Sequence, residues 1–433
     1  MISQIIFIIL LIISIYFFIR NANIIRNNIL RGRKFKAIGG VKERFMQMML
    51  IAFGQKKMFK RPVPAVLHLF VYLGFLLVNV ELVEIIYDGV FGTHRAFKPY
   101  LGDAFYNFLI NFFEFFAIIV VFVCVLFLVR RNLFKVKRFS GNEMTRWSKL
   151  DANLILFAEI VLMFFLLNMN ATDTAIKIKE GVQNVPFYKV SAFFVPFYKN
   201  ASIESIYLAE RFYWWAHIIG VFVFANYVLF SKHLHIFLAF PNTFLTDIKP
   251  KGKISNMPTV ANEVKLMLDP NAIVEEVEEV ATFGAKDVID LSRKSLLEAY
   301  SCTECGRCTD NCPANITGKK LSPRKIMMDT RDRVEEVGKG KRKEGEGFDD
   351  GKSLIDDYIT EEELLACTSC NACVEACPVN INPLNIIIEL RRYKAMEETK
   401  QPAEWNGMYQ NIETSLNPWK FPPSDRAKWI NEV

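Results

Sequence analysis

The sequence predicts an all-α protein in which a bundle of five transmembrane helices is followed by a cytoplasmic α-helical domain. Five long apolar segments lie within the first 240 of its 433 residues. The charge also changes sign along the chain: residues 1–240 carry 27 Lys+Arg against 13 Asp+Glu, a net +14, whereas residues 241–433 carry 26 against 33, a net −7. Eight of the nine cysteines form two compact groups beyond residue 300. The two halves are therefore expected to occupy different environments.

The apolar segments approach or exceed the span of about 20 helical residues that crosses a bilayer core. The predicted spans are residues 2–19, 63–86, 105–129, 154–169 and 212–230, the last reaching residue 240 if its helix continues. The first segment has no basic residue before its apolar run and no small-residue cleavage site. We therefore interpret it as a retained span and not as a signal peptide.

The orientation follows from the basic residues of the loops, because Lys and Arg accumulate on the cytoplasmic side. Residues 20–61 carry twelve and residues 130–149 carry seven, whereas residues 88–104 carry two and residues 171–211 carry five. This predicts a protein of the inner (cytoplasmic) membrane with its N-terminus outside and residues beyond 240 in the cytoplasm. Because these charges lie between apolar runs and not along one soluble face, nucleic acid is not expected as a partner.

Composition divides the chain into four parts. Residues 1–240 form the five-span membrane domain, and residues 241–285 form a linker that contains the Pro, Gly and Lys-rich KPKGKISNMPT. Residues 286–400 hold the cysteine groups and have helical composition. Residues 401–433 are aromatic and contain proline, so we expect either a tail that docks a partner or a disordered end.

The cysteines repeat one motif, CxxCxxCxxxCP. Its ligand candidates are Cys302, Cys305, Cys308 and Cys312 in the first copy, and Cys367, Cys370, Cys373 and Cys377 in the second. This spacing is that of bacterial-type [4Fe–4S] ligation, in which the fourth cysteine serves the other cluster of a two-cluster protein. We therefore assign Cys377 to the first cluster and Cys312 to the second. Paired zinc sites or disulfides are the alternative, which the spacing and a reducing cytoplasm disfavour.

This part of the chain resembles a known ferredoxin module. The stretches CTECGRCTDNCPANITGKKLSPRKIM and CTSCNACVEACPVNINPL are similar to the all-helical ferredoxin of the heterodisulfide reductase small iron–sulfur subunit, also found in succinate and glycerol-3-phosphate dehydrogenases. The resemblance covers residues 285–400. It implies a helical dicluster ferredoxin domain.

Histidines mark a second candidate site in the membrane half. His68 lies near the start of the second span and His235 near the cytoplasmic end of the fifth, so they can meet at one depth. A straight helix would place His217 and His235 on one face, five turns apart, with His233 facing elsewhere. Neutral imidazole is a usual axial haem ligand, so we predict haem b between His68 and His235. The alternative is that these histidines only bond neighbouring helices or lie at the membrane surface.

The membrane half also looks like the gamma subunit of respiratory nitrate reductase and the cytochrome b subunit of heterodisulfide reductase. The stretches HLFVYLGF and WWAHIIGVFVFANYVLFSKHLH carry the likeness. It implies that His68, His217 and His235 are haem ligands. That family has a further histidine ten residues after the first, where this chain has Val78, so a second haem would need His217 to pair with His94 in the loop GTHRAF. Otherwise His217 serves a quinone and His94 is an ordinary loop residue.

Two carboxyl groups inside the spans, Glu114 and Glu159, are candidates either for proton exchange with a quinone or for interhelical hydrogen bonds. The chain shows no nucleotide-binding glycine motif and has no cysteines left for a catalytic domain. We therefore expect a membrane electron-transfer subunit that links quinone, through haem b and two [4Fe–4S] clusters, to a cytoplasmic cysteine-rich or flavin-containing redox subunit. A haem-free membrane-anchored ferredoxin and an iron–sulfur redox sensor are the alternatives.

Overall fold

The computed structural model describes residues 1–183, 185–250, 252–274, 282–425 and 427–431. Eight α-helices form the N-terminal half of this described chain. They are α1 (Ile2–Leu30), α2 (Val41–Met48), α3 (Pro62–Phe91), α4 (Lys98–Leu101), α5 (Asp103–Asn132), α6 (Arg146–Lys179), α7 (Ile203–Val228) and α8 (His235–Phe244). A 3₁₀ turn at Lys232–Leu234 joins α7 to α8.

Local sequence sets where the long helices begin. The Thr145 hydroxyl accepts a hydrogen bond from the Ser148 backbone N–H and caps α6, and Ser202 caps α7 in the same way. Pro62 occupies the first turn of α3, where its missing N–H costs nothing. That helix stops at Gly92, whose φ of 72° suits a residue without Cβ.

Four helices are long and apolar enough to cross a membrane, and the count rises to five if the bent pair α7 and α8 is one span. The four are α1, α3, α5 and α6. Each extends past its predicted limits, and the short fourth span is the middle of a helix of 34 residues. The prediction of a membrane protein is confirmed by these apolar helices.

The prediction of a straight fifth helix is wrong. α7 ends at Val228, and the axis turns by 86° before α8 begins. The Ser231 side chain accepts a hydrogen bond from the His233 N–H, so it starts a new helical segment in place of continuing the old one. His217 and His235 therefore do not share one face of a continuous helix. α8 then runs through Pro241 to Phe244.

Nine α-helices form the rest of the described chain. They are α9 (Pro258–Leu268), α10 (Arg293–Ser301), α11 (Arg307–Asp310), α12 (Pro313–Ile316), α13 (Pro323–Glu344), α14 (Glu361–Leu365), α15 (Ala372–Ala376), α16 (Pro383–Met396) and α17 (Ala403–Ser415). Only two isolated β-bridges, and no strand, occur in the described ranges. The predicted all-α class is confirmed.

The core of the C-terminal half lies where α10, α13 and α16 meet. Leu296, Ile326 and Leu390 are fully buried there. The same core continues onto the membrane half, because Ile25 and Ile29 of α1 pack against it. The two halves are thus joined by a shared apolar interface.

The loops that follow the first and third membrane helices lie against the C-terminal half. The Arg33 N–H donates to the Leu291 carbonyl over 2.8 Å. Arg324, buried in α13, bonds Glu143 over 2.6 Å just before α6. The two most basic loops of the membrane half therefore face the cysteine-containing half, which is the relative arrangement that the loop charges predict.

Candidate functional site

The first cysteine group begins in a tight loop between α10 and α11, with Cys308 inside α11 and Cys312 directly before α12. Glu304 and Gly306 have φ of 55° and 72°, so two residues between Cys302 and Cys308 adopt the left-handed conformation. A Cβ on Gly306 would lie 2.6 Å from Nη1 of Arg324, which explains the glycine. The loop lines a cavity of about 30 Å³ together with Cys377 from the second motif. The structure thus brings together the four cysteines assigned to the first cluster.

The second loop repeats this backbone. Ser369 and Asn371 stand at the corresponding positions, with φ of 55° and 61°. Asn tolerates the left-handed region, so it replaces the glycine of the first copy. Cys312 lies within electrostatic range of Cys367, Cys370 and Cys373. The crossed assignment of the fourth cysteines therefore agrees with where the loops lie.

The cysteine surroundings fit iron–sulfur ligation. Backbone N–H groups of Ser369 and Ile381 donate to Sγ of Cys367 and Cys377 over 3.4 and 3.3 Å. Burial raises the pKa of the Cys302 thiol to about 12, so without a metal it would be an unreactive thiol, whereas ligation to iron would hold it as thiolate. The same burial raises the pKa of the Cys377 thiol.

Zinc sites are the alternative interpretation of these cysteines. Zinc binds cysteine sulfur at about 2.3 Å, so its ligands crowd around one point. Within the described residues, no three His, Cys, Asp or Glu side chains are gathered closely enough to hold a single metal ion. A [4Fe–4S] cubane is wider than a single ion, so its cysteines would stand farther apart than zinc ligands do.

Glu304, between the first two cysteines, fixes the loop to the membrane half. Its carboxylate bonds Lys232 over 2.9 Å and Arg331 over 2.8 Å. Burial opposes its ionisation, but Arg331 and Lys232 outweigh burial and hold the pKa of Glu304 at about 2. Lys232 belongs to the turn between α7 and α8, so this ion pair connects the helix break to the first cysteine group.

His68 and His235 face each other beside this loop. Their ring centroids are 6.3 Å apart and their planes are inclined by 44°. Nδ1 of His68 is 3.2 Å from Oε1 of Gln55, and Nδ1 of His235 is 3.0 Å from the Lys232 carbonyl oxygen. Both rings therefore have their Nδ1 engaged, which orients Nε2 as a ligand.

The spacing of this pair would allow both imidazoles to bind one haem iron. Two imidazole nitrogens bound at about 2 Å each, with each nitrogen about 1 Å from its ring centre, need ring centroids about 6 Å apart. The observed 6.3 Å matches that requirement. Arg307 lies within electrostatic range of both His68 and Cys305. The histidine pair and the first cysteine group are therefore close neighbours.

His217 lies in a separate cavity deeper in the bundle. Its Nδ1 is 3.0 Å from the Leu162 carbonyl oxygen, and the ring is buried. The cavity, of about 70 Å³, is also lined by Val78, Asn79 and Glu159. Val78, the position where the resembling family has a histidine, thus lines the cavity that contains His217.

His233 connects the two histidine sites, a role that the straight-helix prediction missed. Its ring centroid lies 5.6 Å from that of His235 and 5.6 Å from that of Phe224. Phe224 also lines the His217 cavity. The signal in the sequence was the Ser-Lys-His-Leu-His run, in which a capping serine precedes the histidines.

The structure does not bring His94 to His217. The loop does fold back onto the bundle, but Nε2 of His94 is 3.1 Å from Oδ1 of Asp173, and the His94 side chain is 51% exposed. The residue of this loop that enters the bundle is Arg95, whose side chain is 10% exposed, lies between α3 and α6 and bonds Asn170 over 2.5 Å. In the described residues no contact joins His94 to His217.

The two predicted span carboxyl groups differ. Glu114 is fully buried and accepts hydrogen bonds from Asn170 and from the backbone of Val190 and Ser191. Glu114 therefore has the hydrogen-bonding role that was the alternative to proton exchange. Glu159 instead lines the His217 cavity.

Sequence reasoning missed a group of buried carboxylates near the end of the bundle opposite the cysteines. Glu81, Glu84 and Asp88 of α3 and Glu210 of α7 are all buried. They line one cavity with Arg95. The sequence contains a signal for this group, because acidic residues at i, i+3 and i+7 share one face of an otherwise apolar helix.

Comparisons with known proteins agree with the cysteine site. Residues 301–381 match the 4Fe-4S dicluster domain. The chain is 26% identical to "EtfAB:quinone oxidoreductase" of Syntrophomonas wolfei, over 90% of this chain and 54% of the relative. It is 27% identical to "Probable iron-sulfur-binding oxidoreductase FadF" of Bacillus subtilis, over 90% of this chain and 56% of the relative.

A third relative matches a shorter stretch. It belongs to a CoB-CoM heterodisulfide reductase of Methanosarcina acetivorans and is 29% identical over 27% of this chain and 60% of its own length. No solved structure matches the chain. The chain spans just over half the length of the first two relatives. It therefore carries a dicluster 4Fe–4S domain for electron transfer and is related to iron–sulfur oxidoreductases.

Proposed function

We propose that this protein passes electrons between a membrane quinone and a cytoplasmic redox partner through haem b and two [4Fe–4S] clusters. The observation that carries the proposal is the pairing of His68 with His235, whose ring centroids are 6.3 Å apart, beside the first cysteine loop. Electron transfer needs redox centres held close together. Here one short stretch, around the α7–α8 turn, contacts both.

The residues for each centre follow from their placement. Cys302, Cys305, Cys308 and Cys377 hold the first cluster, and Cys367, Cys370, Cys373 and Cys312 hold the second. His68 and His235 hold the haem, which when bound accepts and donates single electrons. Gln55 and the Lys232 carbonyl fix the orientation of the two rings. The protein's task is to position these groups and set their electrostatics.

Quinone is the proposed exchangeable substrate, and the His217 cavity is its proposed site. The cavity is predominantly apolar and lies within the bundle, and His217, Asn79 and Glu159 are polar groups able to bond a carbonyl or hydroxyl. The Syntrophomonas wolfei relative is named for quinone as a reactant. The lack of a second histidine at Val78 also favours a substrate over a second haem.

The partner is proposed to bind at the second cysteine group. Cys370 is exposed, whereas the first group lies against the membrane half. The same relative's name gives EtfAB as its other reactant, which makes a flavin-containing or cysteine-rich redox protein the proposed partner. With the basic loops inside, this exposed group lies in the cytoplasm and the quinone cavity is reached from the membrane.

The experiment is a dithionite-reduced minus oxidised visible spectrum of the detergent-purified protein, with pyridine haemochrome and total iron. We expect one haem and about eight further irons per chain, because two [4Fe–4S] clusters contain that number. Clusters without haem would contradict the cytochrome proposal and leave a membrane-anchored ferredoxin. Haem and clusters that quinol fails to reduce would instead favour a redox sensor.

A further inference from the structure

The cavity near the far end of the bundle contains a buried carboxylate without a hydrogen-bond partner. Glu81 is 3% exposed, and among the residues that the structure describes neither of its carboxylate oxygens has a hydrogen-bond partner. Its nearest cation, Arg95, lies 3.7 Å away, beyond hydrogen-bond distance. Burying a carboxylate in this way is costly, so the side chain needs an explanation other than stability.

The cavity has room for the missing partner. Its volume of about 20 Å³ accommodates a water molecule, which needs about 10–15 Å³ and two to four polar neighbours. Glu81, Asp173 and His94 all line it. Because His94 is 51% exposed, one end of this polar group reaches the edge of the bundle.

The same cavity is stacked on the His217 cavity. On α3, Val78 lines the His217 cavity and Glu81 lines the carboxylate cavity, and the two residues are about 5 Å apart along the helix axis. On α7, His217 lines its own cavity and Glu210 lines the carboxylate cavity, and the two residues are about 10 Å apart on the same helix face. Trp214 lies between them and lines the carboxylate cavity. The two cavities therefore follow each other along the bundle.

From this arrangement we infer that Glu81 exchanges the protons of the quinone reaction between the His217 cavity and the membrane face opposite the iron–sulfur domain. The inference rests on the proposed function. Oxidation of a hydroquinone releases two electrons and two protons, and reduction of the quinone takes them up. The electrons travel within this chain to or from the cytoplasmic redox partner. Each proton is bound in turn by Glu81 and passed, through water in the cavity, to or from His94 at the bundle edge, which Asp173 holds by its contact with the ring.

Neighbouring charges shape this exchange. Arg95 faces both Glu81 and Asp173, at 3.7 and 3.6 Å, and stays protonated, so it positions the carboxylates without relaying protons. Other titratable or charged groups surround the cavity. They are Glu84 and Asp88 of α3, Tyr106 and Glu114 of α5, Asp173 and Lys177 of α6, Glu210 and Arg211 of α7, and the loop residues His94 and Tyr188.

The test compares Glu81→Gln with wild type in proteoliposomes that contain a short-chain quinone and a lumenal pH dye. Asp103→Asn is the matched control, because Asp103 is an 81% exposed carboxylate near the same end of the bundle. Glu81→Gln should slow quinone-dependent turnover about 10- to 100-fold, flatten its pH profile and abolish the dye response. It should also remove one carboxyl band from the redox-induced infrared difference spectrum. Glu81→Asp should keep a pH dependence whose midpoint differs from that of wild type, and the control should behave as wild type.

Cluster spectra report whether each variant has folded. Wild-type rates, pH profile and dye response in a correctly folded Glu81→Gln protein would overturn this inference alone. Wild-type protein whose clusters do not react with quinone would overturn the proposed function and the inference with it. If Glu81→Gln does not fold, Glu81→Asp decides the question: the inference requires an altered but still present pH dependence, and an unchanged profile overturns it.

Discussion

The Asn28 amide donates a hydrogen bond of 2.9 Å to the Tyr300 hydroxyl. Asn28 lies near the end of the first membrane helix and Tyr300 stands two residues before Cys302, so this buried bond joins the membrane half to the first cysteine group. Arg342 of α13 also donates to Asn28, over 3.0 Å. The membrane helices and the iron–sulfur domain are thus connected by specific polar bonds as well as by apolar contact.

Close packing at this junction predicts a sharp effect of Gly338→Val. A Cβ at Gly338 would lie 2.1 Å from Oδ1 of Asn28, so the larger side chain must displace the Asn28 amide from its hydrogen bonds or separate α13 from α1. We expect amide hydrogens near Asn28 and Tyr300 to exchange at least about tenfold faster, measured by mass spectrometry, because their shared bond is weakened. Gly407→Ala is the control, since nothing lies within 4 Å of that helical glycine. Unchanged exchange in Gly338→Val would contradict the tight junction.

The crossed cysteine arrangement predicts which cluster each substitution damages. Cys377→Ser should disturb the cluster of the first motif, and Cys312→Ser that of the second, because each fourth cysteine lies against the other loop. Electron paramagnetic resonance of the reduced protein, with iron analysis, distinguishes the two. Cys124→Ala, a change of a buried membrane residue, should leave both signals intact. Loss of the second-motif signal in Cys377→Ser would show that each motif serves its own cluster.

The histidines are predicted to separate into three behaviours. His68→Ala or His235→Ala should remove the haem absorbance and leave the iron–sulfur signals, because a ligand is lost. His217→Ala should retain that haem and slow quinone reaction about 10-fold or more. His94→Ala should retain the haem. Visible spectra and quinol-dependent reduction rates measure all four variants, and full haem in His68→Ala would refute that ligand.

Asp329 predicts a pH-dependent stability change. Burial raises the pKa of Asp329 to about 6, although Lys325, 2.7 Å away, partly opposes this. The folded protein binds this proton more tightly than the unfolded chain, so wild-type stability falls as the pH rises from about 4 to about 6. Asp329→Asn should therefore be about 2 kcal/mol more stable than wild type at pH 8.

The gain from Asp329→Asn should shrink to nothing as the pH falls through 6 towards 4. Unfolding midpoints in detergent between pH 4 and 8, followed by circular dichroism, measure this gain. Asp332→Asn on the same helix is the control, since the Asp332 side chain is 51% exposed. A gain that is constant across this pH range would mean that burial does not govern the Asp329 proton.

Local patterns in the sequence were sufficient for the helical class and the cysteine loops. Long apolar runs must form helices in lipid, because each helix satisfies its own backbone hydrogen bonds. The CxxCxxC spacing likewise predicts one compact loop for each motif. The structure shows left-handed residues at the same positions of both copies, Glu304 with Gly306 and Ser369 with Asn371. Both features depend on residues that are near neighbours in the chain.

The histidine arrangement shows where local reasoning fails. Spacing alone placed His217 and His235 on one straight helix, but Ser231 caps a new segment and the axis turns by 86°. The turn brings His233 beside His235 and Phe224. A helix break depends on a balance between one local hydrogen bond and continued packing, which hydrophobic periodicity does not reveal.

The sequence by itself determined that this is an all-α membrane protein with two cysteine motifs, because apolar length and ligand spacing are properties of short segments. Only the tertiary structure decided that Val78 lines the His217 cavity, that Glu81 is buried with no hydrogen-bond partner among the described residues, and that Arg95, not His94, enters the bundle. Those relationships join residues far apart in the chain. They arise from how helices pack, where burial and pairing of charged groups outweigh any preference that a single segment carries.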